Sequence, residues 1–312
     1  MATAPTSSAT TDDAGAADAP ATAGPSAITA ELVADSVSPA GVRLSTMVVT
    51  VPRSALAELN THRVFSRNSS SSRAVPIQRM IDYVATTPYV PRAFSLHKPG
   101  MNAHEFVEPG SERWDEVLRW WLDSADQALE RAREGIALGL HKQDVNRILE
   151  PYLMHTVVVS STDWDNFFEQ RLATDEQGQP LAYLPIYDAA LAMREALAAS
   201  TPRETPDGAW HTPFVTDDEA ATLGPDGARA VAAARCARVS YFTPTGDRVV
   251  GAGPSLEADL ALSERLIEPS PGTAPHMSPF EHVATPQEPG TGNFRGWRQW
   301  RAEIEQRWQV RA

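Results

Sequence analysis

The stretch THRVFSRNSSSSRAVP, Thr61 to Pro76, sets a histidine between a threonine and an arginine, then runs through hydroxyls to a further arginine. Ser69, Ser71, Ser72 and Arg73 place hydroxyls, backbone N–H groups and a guanidinium within one turn of chain. That is the donor set a phosphate asks for. A flexible serine-rich linker offers the same hydroxyls, so the charge pattern has to separate the two readings. Arg63, Arg67, Arg73 and Arg79 fall between Thr61 and Arg79 with no Asp or Glu among them, in a chain of formal net charge −13. An acidic protein binds a small anion only by gathering arginines in one place. The charge pattern tilts the reading from a linker toward a phosphate loop.

Three other blocks carry groups of related use. DNFFEQRL puts Asn166, Phe167 and Arg171 on one short helical pattern, NRILEP carries Arg147, and SPFEH runs from Ser278 to His282. Read alone, His282 is as easily a loop-capping histidine as a reactive one. Together with the loop, these blocks resemble the signature of the flavin-dependent thymidylate synthases, the ThyX family. That signature runs Arg-His-Arg, seven residues, Ser, with Ser and Asn inside the gap and Arg two residues beyond. Here Thr61-His62-Arg63, Ser66, Asn68, Ser71 and Arg73 keep the spacing.

The chain also departs from the family. Thr61 replaces the first arginine, Glu58 stands for a glutamine and Ser69 for a glutamate, and YLPI keeps only the isoleucine of a Gln-x-Glu-Ile segment. SPFEH, which in most of the family precedes the Arg-His-Arg motif, and ARCARVSY, which resembles a segment near the family's N-terminus, lie here after the loop. The order looks circularly rearranged. The Thr-His-Arg variant resembles both phage relatives of the family and a UMP C5-methylase branch of polyoxin-type nucleoside-antibiotic pathways.

The resemblance covers about half the chain in scattered blocks. It implies an α+β fold of mixed helices and antiparallel sheet, and C5-methylation of UMP or dUMP. It further implies 5,10-methylenetetrahydrofolate as carbon donor, FAD and NADPH for reduction, and a homotetramer. By the same resemblance Ser71, Arg73 and the backbone N–H of Ser72 hold the nucleotide phosphate, and Arg147 also meets the nucleotide. Arg171 contacts the uracil carbonyl and stabilises charge as it develops. His62, Arg63 and Asn166 line the isoalloxazine, and His282 sits near flavin and folate, so Arg171, His62 and His282 are the expected catalytic group. A flavin route needs no cysteine nucleophile. Cys236, the single cysteine, lies in an Ala-rich helical pattern and reads as core. A dUMP-specific synthase and a non-catalytic nucleotide-binding protein remain as alternatives.

Several elements must position these residues. Val42–Pro52 is rich in β-branched residues and reads as a strand, and SALAELNTHRVF as a short helix entering the serine loop. Residues 85–111 read as an irregular excursion. Ser111–Gly139 is the clearest helix, capped by Ser111; KQDVNRILEPYL reads as a helix and MHTVVVSST as a buried strand. TDWDNFFEQRL follows as a helix capped by Thr162 or Asp163, then PIYDAALAMREALAAS as another. Residues 200–225 read as loops, and GARAVAAARCARVSY and LEADLALSERLIE as helices. In GNFRGWRQWR, Arg295, Arg298 and Arg301 alternate with Trp297 and Trp300, which suits either stacking of a pterin or a helix with Trp inward and Arg outward.

Bulk properties bound the rest. Hydrophobic content of 42% and charged content of 21% over 312 residues fit a soluble globular protein. The acidic balance argues against nucleic-acid and anionic-membrane partners. A lone cysteine excludes internal disulfides and suits the cytoplasm. His276 and His282 do not have the spacing of a metal-dependent hydrolase, so no metal is expected. Residues 1–28, rich in Ala, Thr, Ser, Pro and Asp, read as a disordered tail before a single catalytic domain over 29–312.

Overall fold

The computed structural model describes residues 24–72, 74–100, 103, 105–242, 248–268 and 274–311. The chain opens with β1 (Thr29–Val37), β2 (Arg43–Pro52), α1 (Leu56–Asn60), β3 (Ser66–Ser69) and α2 (Ile77–Thr86). A short ribbon, β4 (Phe94–Ser95) and β5 (Phe106–Val107), leads to α3 (Trp114–Ala137) and α4 (Lys142–Ile148). The middle holds β6 (Met154–Ser161), α5 (Asp165–Arg171), α6 (Leu184–Ala198) and β7 (Arg203–Glu204). Then come α7 (Asp217–Ala237), β8 (Tyr241–Phe242), β9 (Arg248–Val249) and α8 (Leu256–Ile267). The last elements are β10 (Ala284–Pro286), β11 (Trp297–Gln299) and α9 (Trp300–Arg311).

Five strands form the main sheet in the order β3-β6-β2-β1-β7, antiparallel except at the β1–β7 edge. The architecture is α+β, as expected. Alternation in RLSTMVVTVP sends Met47, Val49 and Val51 to one face, where Val157 and Val159 of β6 join them. Helix α6 covers that face with Ile186, Ala189, Ala190 and Met193, a spacing that forms a single stripe. Phe65, Trp164 and Phe167 close the same core where β3 and α5 begin. The opposite face, through Val158, meets Cys236 of α7 and Val239 just beyond the helix. Helices α2, α3 and α4 form a satellite core around Met80, Ile81, Leu129 and Val145 beside the serine loop. No helix among the described residues is long and apolar enough to cross a membrane.

Local chemistry differs from the sequence reading at four places. SRNS, read as loop, is strand β3, because Ser66 to Ser69 pair with Ser160 to Val157 of β6. Ser111 does not cap α3, which starts after Arg113 without a side-chain cap. Neither Thr162 nor Asp163 caps α5; Ser161 Oγ instead accepts the Asp163 N–H at 2.9 Å, and Trp164 precedes the first turn. Helix α7 begins inside the stretch read as loop, because Thr216 and Glu219 form a capping box; Gly224, at φ 67°, then kinks the helix ahead of Pro225. The chain is already docked at Ser26, which exchanges hydrogen bonds with Val90 at 2.9 and 3.0 Å.

One ion cluster ties α7 to α8. Asp259 is fully buried and accepts from Arg235 Nε at 2.9 Å, Arg238 Nε at 2.6 Å and the Gly253 N–H at 3.2 Å. Glu219 takes the other edge of the Arg235 guanidinium at 2.6 and 2.7 Å, which holds its own carboxyl down at about 2. Removing the shared carboxylate takes a buried ion pair from each of two guanidinium groups, leaving Arg235 with Glu219 alone as its carboxylate partner. Asp259→Ala therefore costs about 3–5 kcal/mol, read as a lowered urea midpoint, while Glu264→Ala on the exposed side of α8 leaves the midpoint in place.

Candidate active site

Helix α5 follows directly from the end of β6, and its spacing decides which groups face solvent. Phe167 is buried against Phe65 and Trp164, while Asn166 and Gln170, one turn apart, stay exposed. Arg171, four residues after Phe167, reaches across to the Thr-His-Arg segment. Its Nε donates to His62 Nε2 at 3.1 Å and its Nη2 to Thr61 Oγ1 at 2.9 Å. Thr61 in turn donates to the Glu58 carbonyl at 2.7 Å, so its hydroxyl has a defined direction. His62 stacks edge-on against Phe167 at 4.8 Å, with Phe65 at 5.6 Å on its other side. Its pKa is lowered by burial first, then by the charges of Arg171 and Arg67. A neutral imidazole is what an acceptor for Arg171 requires.

These groups open onto a first cleft of about 510 Å³, lined also by Arg63, Asn166, Gln170 and Asp163. The side chains of Arg63, Asn166 and Gln170 make no hydrogen bond among the described residues. The sequence reading did not single out Gln170. Its position one helical turn after Asn166 was the available signal.

Ser71 and Ser72 lie elsewhere, in a second cleft of about 450 Å³ with Arg53, Arg79, Glu150 and His155 in its wall. No described residue lines both clefts. Strand β6 runs between them, beginning at Met154 beside the second and ending two residues before Asp163 at the first. Among the described residues, no internal acceptor takes the backbone N–H of Ser71 or Ser72, and the Ser71 hydroxyl is likewise unspent. Asn146 Nδ2 donates to the Ser72 carbonyl at 2.7 Å and the Val75 carbonyl at 3.2 Å, which locks the loop onto α4. Arg147 stands beside this cleft, 3.9 Å from Glu150 and largely exposed. Arg73 lies outside the described residues. Arg53, Glu150 and His155 were not foreseen, because no local pattern marks them; the β2–β6 register brings Arg53 to Leu153, whose carbonyl accepts its N–H at 2.8 Å.

His282 lines neither cleft. It is fully buried and shares a hydrogen bond with Ser160 Oγ at 2.8 Å, while its Nε2 has no partner. Ser160 continues to Thr46 Oγ1 at 2.6 Å, Thr46 to His211 Nε2 at 2.8 Å, and His211 Nδ1 to Ser36 Oγ at 2.8 Å. A buried polar chain thus crosses three strands. Cys236 is also fully buried, and burial pushes its thiol well above the ordinary range. Among the described residues no group of three His, Cys, Asp or Glu could hold a metal ion.

The Arg/Trp segment is packed rather than open. Trp297 is buried and donates to the Val42 carbonyl at 3.1 Å, and Trp300 sits edge-on to Phe280 at 5.0 Å. Arg298 pairs with Glu303, and Arg301 with Glu281 and Glu305. The tryptophans do pack inward, but Trp297–Gln299 is strand β11 rather than helix, and Arg298 and Arg301 are half-buried in ion pairs rather than solvated.

No family model matches the chain, and no curated protein matches it. Solved structures share part of its architecture. The likeness is to a UMP/dUMP methylase and to flavin-dependent thymidylate synthases. PolB, a UMP/dUMP methylase from Streptomyces cacaoi bound with 5-Br UMP, is 19% identical over 57% of this chain and 92% of that one, with a TM-score of 0.45. ThyX from Helicobacter pylori complexed with FAD and dUMP is 17% identical over 49% of this chain and 67% of that one, with a TM-score of 0.32. At these levels the chemistry has to be argued from this chain's own residues.

Burial pushes both His211 and His282 down to about 3. The unfolded chain takes up these protons first, so stability is full above the unfolded value near 6.5 and drains as pH falls toward 3. Each buried histidine costs about 2 kcal/mol at pH 5. A urea midpoint clearly lower at pH 5 than at pH 7 is expected, and Ser160→Ala, which removes a partner common to His282 and Thr46, lowers it at both.

Proposed function

We propose that the chain is an enzyme that methylates C5 of a uridine 5′-monophosphate, with UMP preferred to dUMP. The observation that carries this reading is the fixed guanidinium of Arg171, held by His62 Nε2 and Thr61 Oγ1 at the edge of a cleft. A planar cation anchored in this way suits a pyrimidine carbonyl oxygen on which negative charge develops as C5 becomes nucleophilic. It needs no thiolate addition at C6, which accords with the burial of Cys236.

The first cleft fits an isoalloxazine edge in its donor chemistry. Arg63, Asn166 and Gln170 present unspent polar groups beside the aromatic cluster of His62, Phe65 and Phe167. In this reading His62, Arg63 and Asn166 hold FAD. When bound, the flavin supplies the reducing equivalents, drawn from NADPH, that turn a methylene group from 5,10-methylenetetrahydrofolate into a methyl group. His62 stays neutral and orients Arg171 through its unprotonated Nε2. Ser71 and the Ser72 N–H take the nucleotide phosphate in the second cleft, Arg147 approaches from α4, and Arg73 is a further phosphate ligand in this reading.

The two clefts lie at opposite ends of β6, so one protomer holds two half-sites. We infer that a homotetramer brings the phosphate loop of one copy to the Arg171 cleft of another. His282 then acts from beneath the sheet as a positioning residue, through Ser160. The motif order is read as a circular rearrangement in which spatial neighbours persist: Ser278 Oγ donates to Asn68 Oδ1 at 2.6 Å, although 210 residues separate them. The Thr-His-Arg variant supports a role in nucleoside-antibiotic synthesis.

The decisive assay is tritium release from C5-labelled UMP and dUMP, side by side, with FAD, NADPH and methylenetetrahydrofolate supplied. Faster release from UMP is expected. Arg171→Ala lowers kcat/KM by about 10²–10³, whereas Ser71→Ala acts on KM, by about fivefold. Bound flavin without release from either nucleotide would refute the methylation chemistry and leave a nucleotide-binding protein.

A further inference from the structure

A carboxylate is out of place in a cleft built for a phosphate, and Glu150 is held there firmly. Ser72 Oγ donates to its Oε1 at 2.8 Å, and the guanidinium groups of Arg53 and Arg147 lie 3.6 and 3.9 Å from the same oxygen. Glu150 opens the short 3₁₀ turn Glu150–Tyr152, in which Pro151 stiffens the backbone. Its side chain is mostly buried yet forms part of the cleft wall. Among the described residues, no hydrogen bond falls on its Oε2. One oxygen is therefore held by the Ser72 hydroxyl with two guanidinium groups nearby, and the other is an acceptor left unspent among the described residues.

Such an oxygen repels a phosphate and attracts a hydroxyl. The unspent N–H groups of Ser71 and Ser72 lie on the adjacent loop, so an anion at those donors and a sugar at Glu150 sort themselves by charge. We propose that Glu150 determines ribose specificity: its Oε2 accepts the 2′-hydroxyl of the bound nucleotide and so favours UMP over dUMP. A preorganised acceptor discriminates strongly, because the deoxy analogue leaves it unpaired in the cleft. The inference rests on the reading of Ser71 and Ser72 as the phosphate loop.

Calorimetric titration of the full-length protein with UMP, dUMP and 2′-fluoro-2′-deoxyUMP tests it without requiring turnover. UMP is expected to bind about tenfold or more tighter than dUMP, and the fluoro analogue, which cannot donate, to fall with dUMP. Glu150→Ala brings all three within about twofold by weakening UMP alone. Glu150→Gln, which keeps the shape and a neutral acceptor, leaves an intermediate preference and guards against a folding defect. Equal binding of the three ligands to the unaltered protein would overturn the proposal and leave the phosphate loop standing. So would a parallel change in all three on Glu150→Ala, since the carboxylate would then merely compete with phosphate. Binding of no nucleotide at all would overturn the phosphate-loop reading with it.

Discussion

The antiparallel pairing of β2 with β6 is the constraint on which the rest of the structure depends. Its register runs without a break from Ser45 opposite Ser161 to Pro52 opposite Met154. Because side chains alternate, this one register sends Met47, Val49, Val157 and Val159 to the α6 face and Thr46, Val48, Val158 and Ser160 to the other. A slip by one residue would bury the hydroxyls in the main core and turn the valines toward the histidines. The ends of the same ladder set the two clefts. Arg53 leaves β2 where Glu150 and Leu153 enter β6, and α5 leaves β6 at the other end carrying Asn166 and Arg171.

The polar face of the ladder explains the buried histidines. Thr46 and Ser160 sit opposite each other, and each passes its hydroxyl to an imidazole from a distant segment, His211 on one side and His282 on the other. A buried polar group is tolerated when it is hydrogen-bonded, and four of the five contacts needed are made within the chain. Asn68 performs a similar task at the sheet edge. It donates to the Cys236 carbonyl at 2.9 Å and accepts from Ser278, so strand β3, helix α7 and the SPFEH turn meet on a single amide.

Electrostatics divides the labour between the clefts. At the first, a neutral histidine and a hydroxyl fix a guanidinium whose charge stays available, because no carboxylate pairs with Arg171 among the described residues. At the second, cations and a carboxylate offset one another, so the cleft can sort an anion from a hydroxyl instead of binding any anion. An overall charge of −13 makes such local arrangements necessary.

The sequence alone determined the strands and helices whose hydrophobic period is long and regular. β2, β6, α3 and α6 are legible in it because burial on one face leaves a repeat of two or near 3.6. It also determined the motif spacing of His62, Arg63, Ser71 and Arg171, which local chain geometry preserves whatever the fold. Cap positions and the SRNS strand were not legible, since Trp164 starts α5 without a side-chain cap and Ser66–Ser69 become strand only by pairing with β6. The tertiary structure decided which motif residues meet. Arg171 joins Thr61 and His62, Ser72 joins Glu150, and His282 goes beneath the sheet. The physical reason is that these partners lie from 78 to 122 residues apart in the chain, as for Ser72 with Glu150, Arg171 with His62 and Ser160 with His282. Only the strand register brings them within hydrogen-bonding reach.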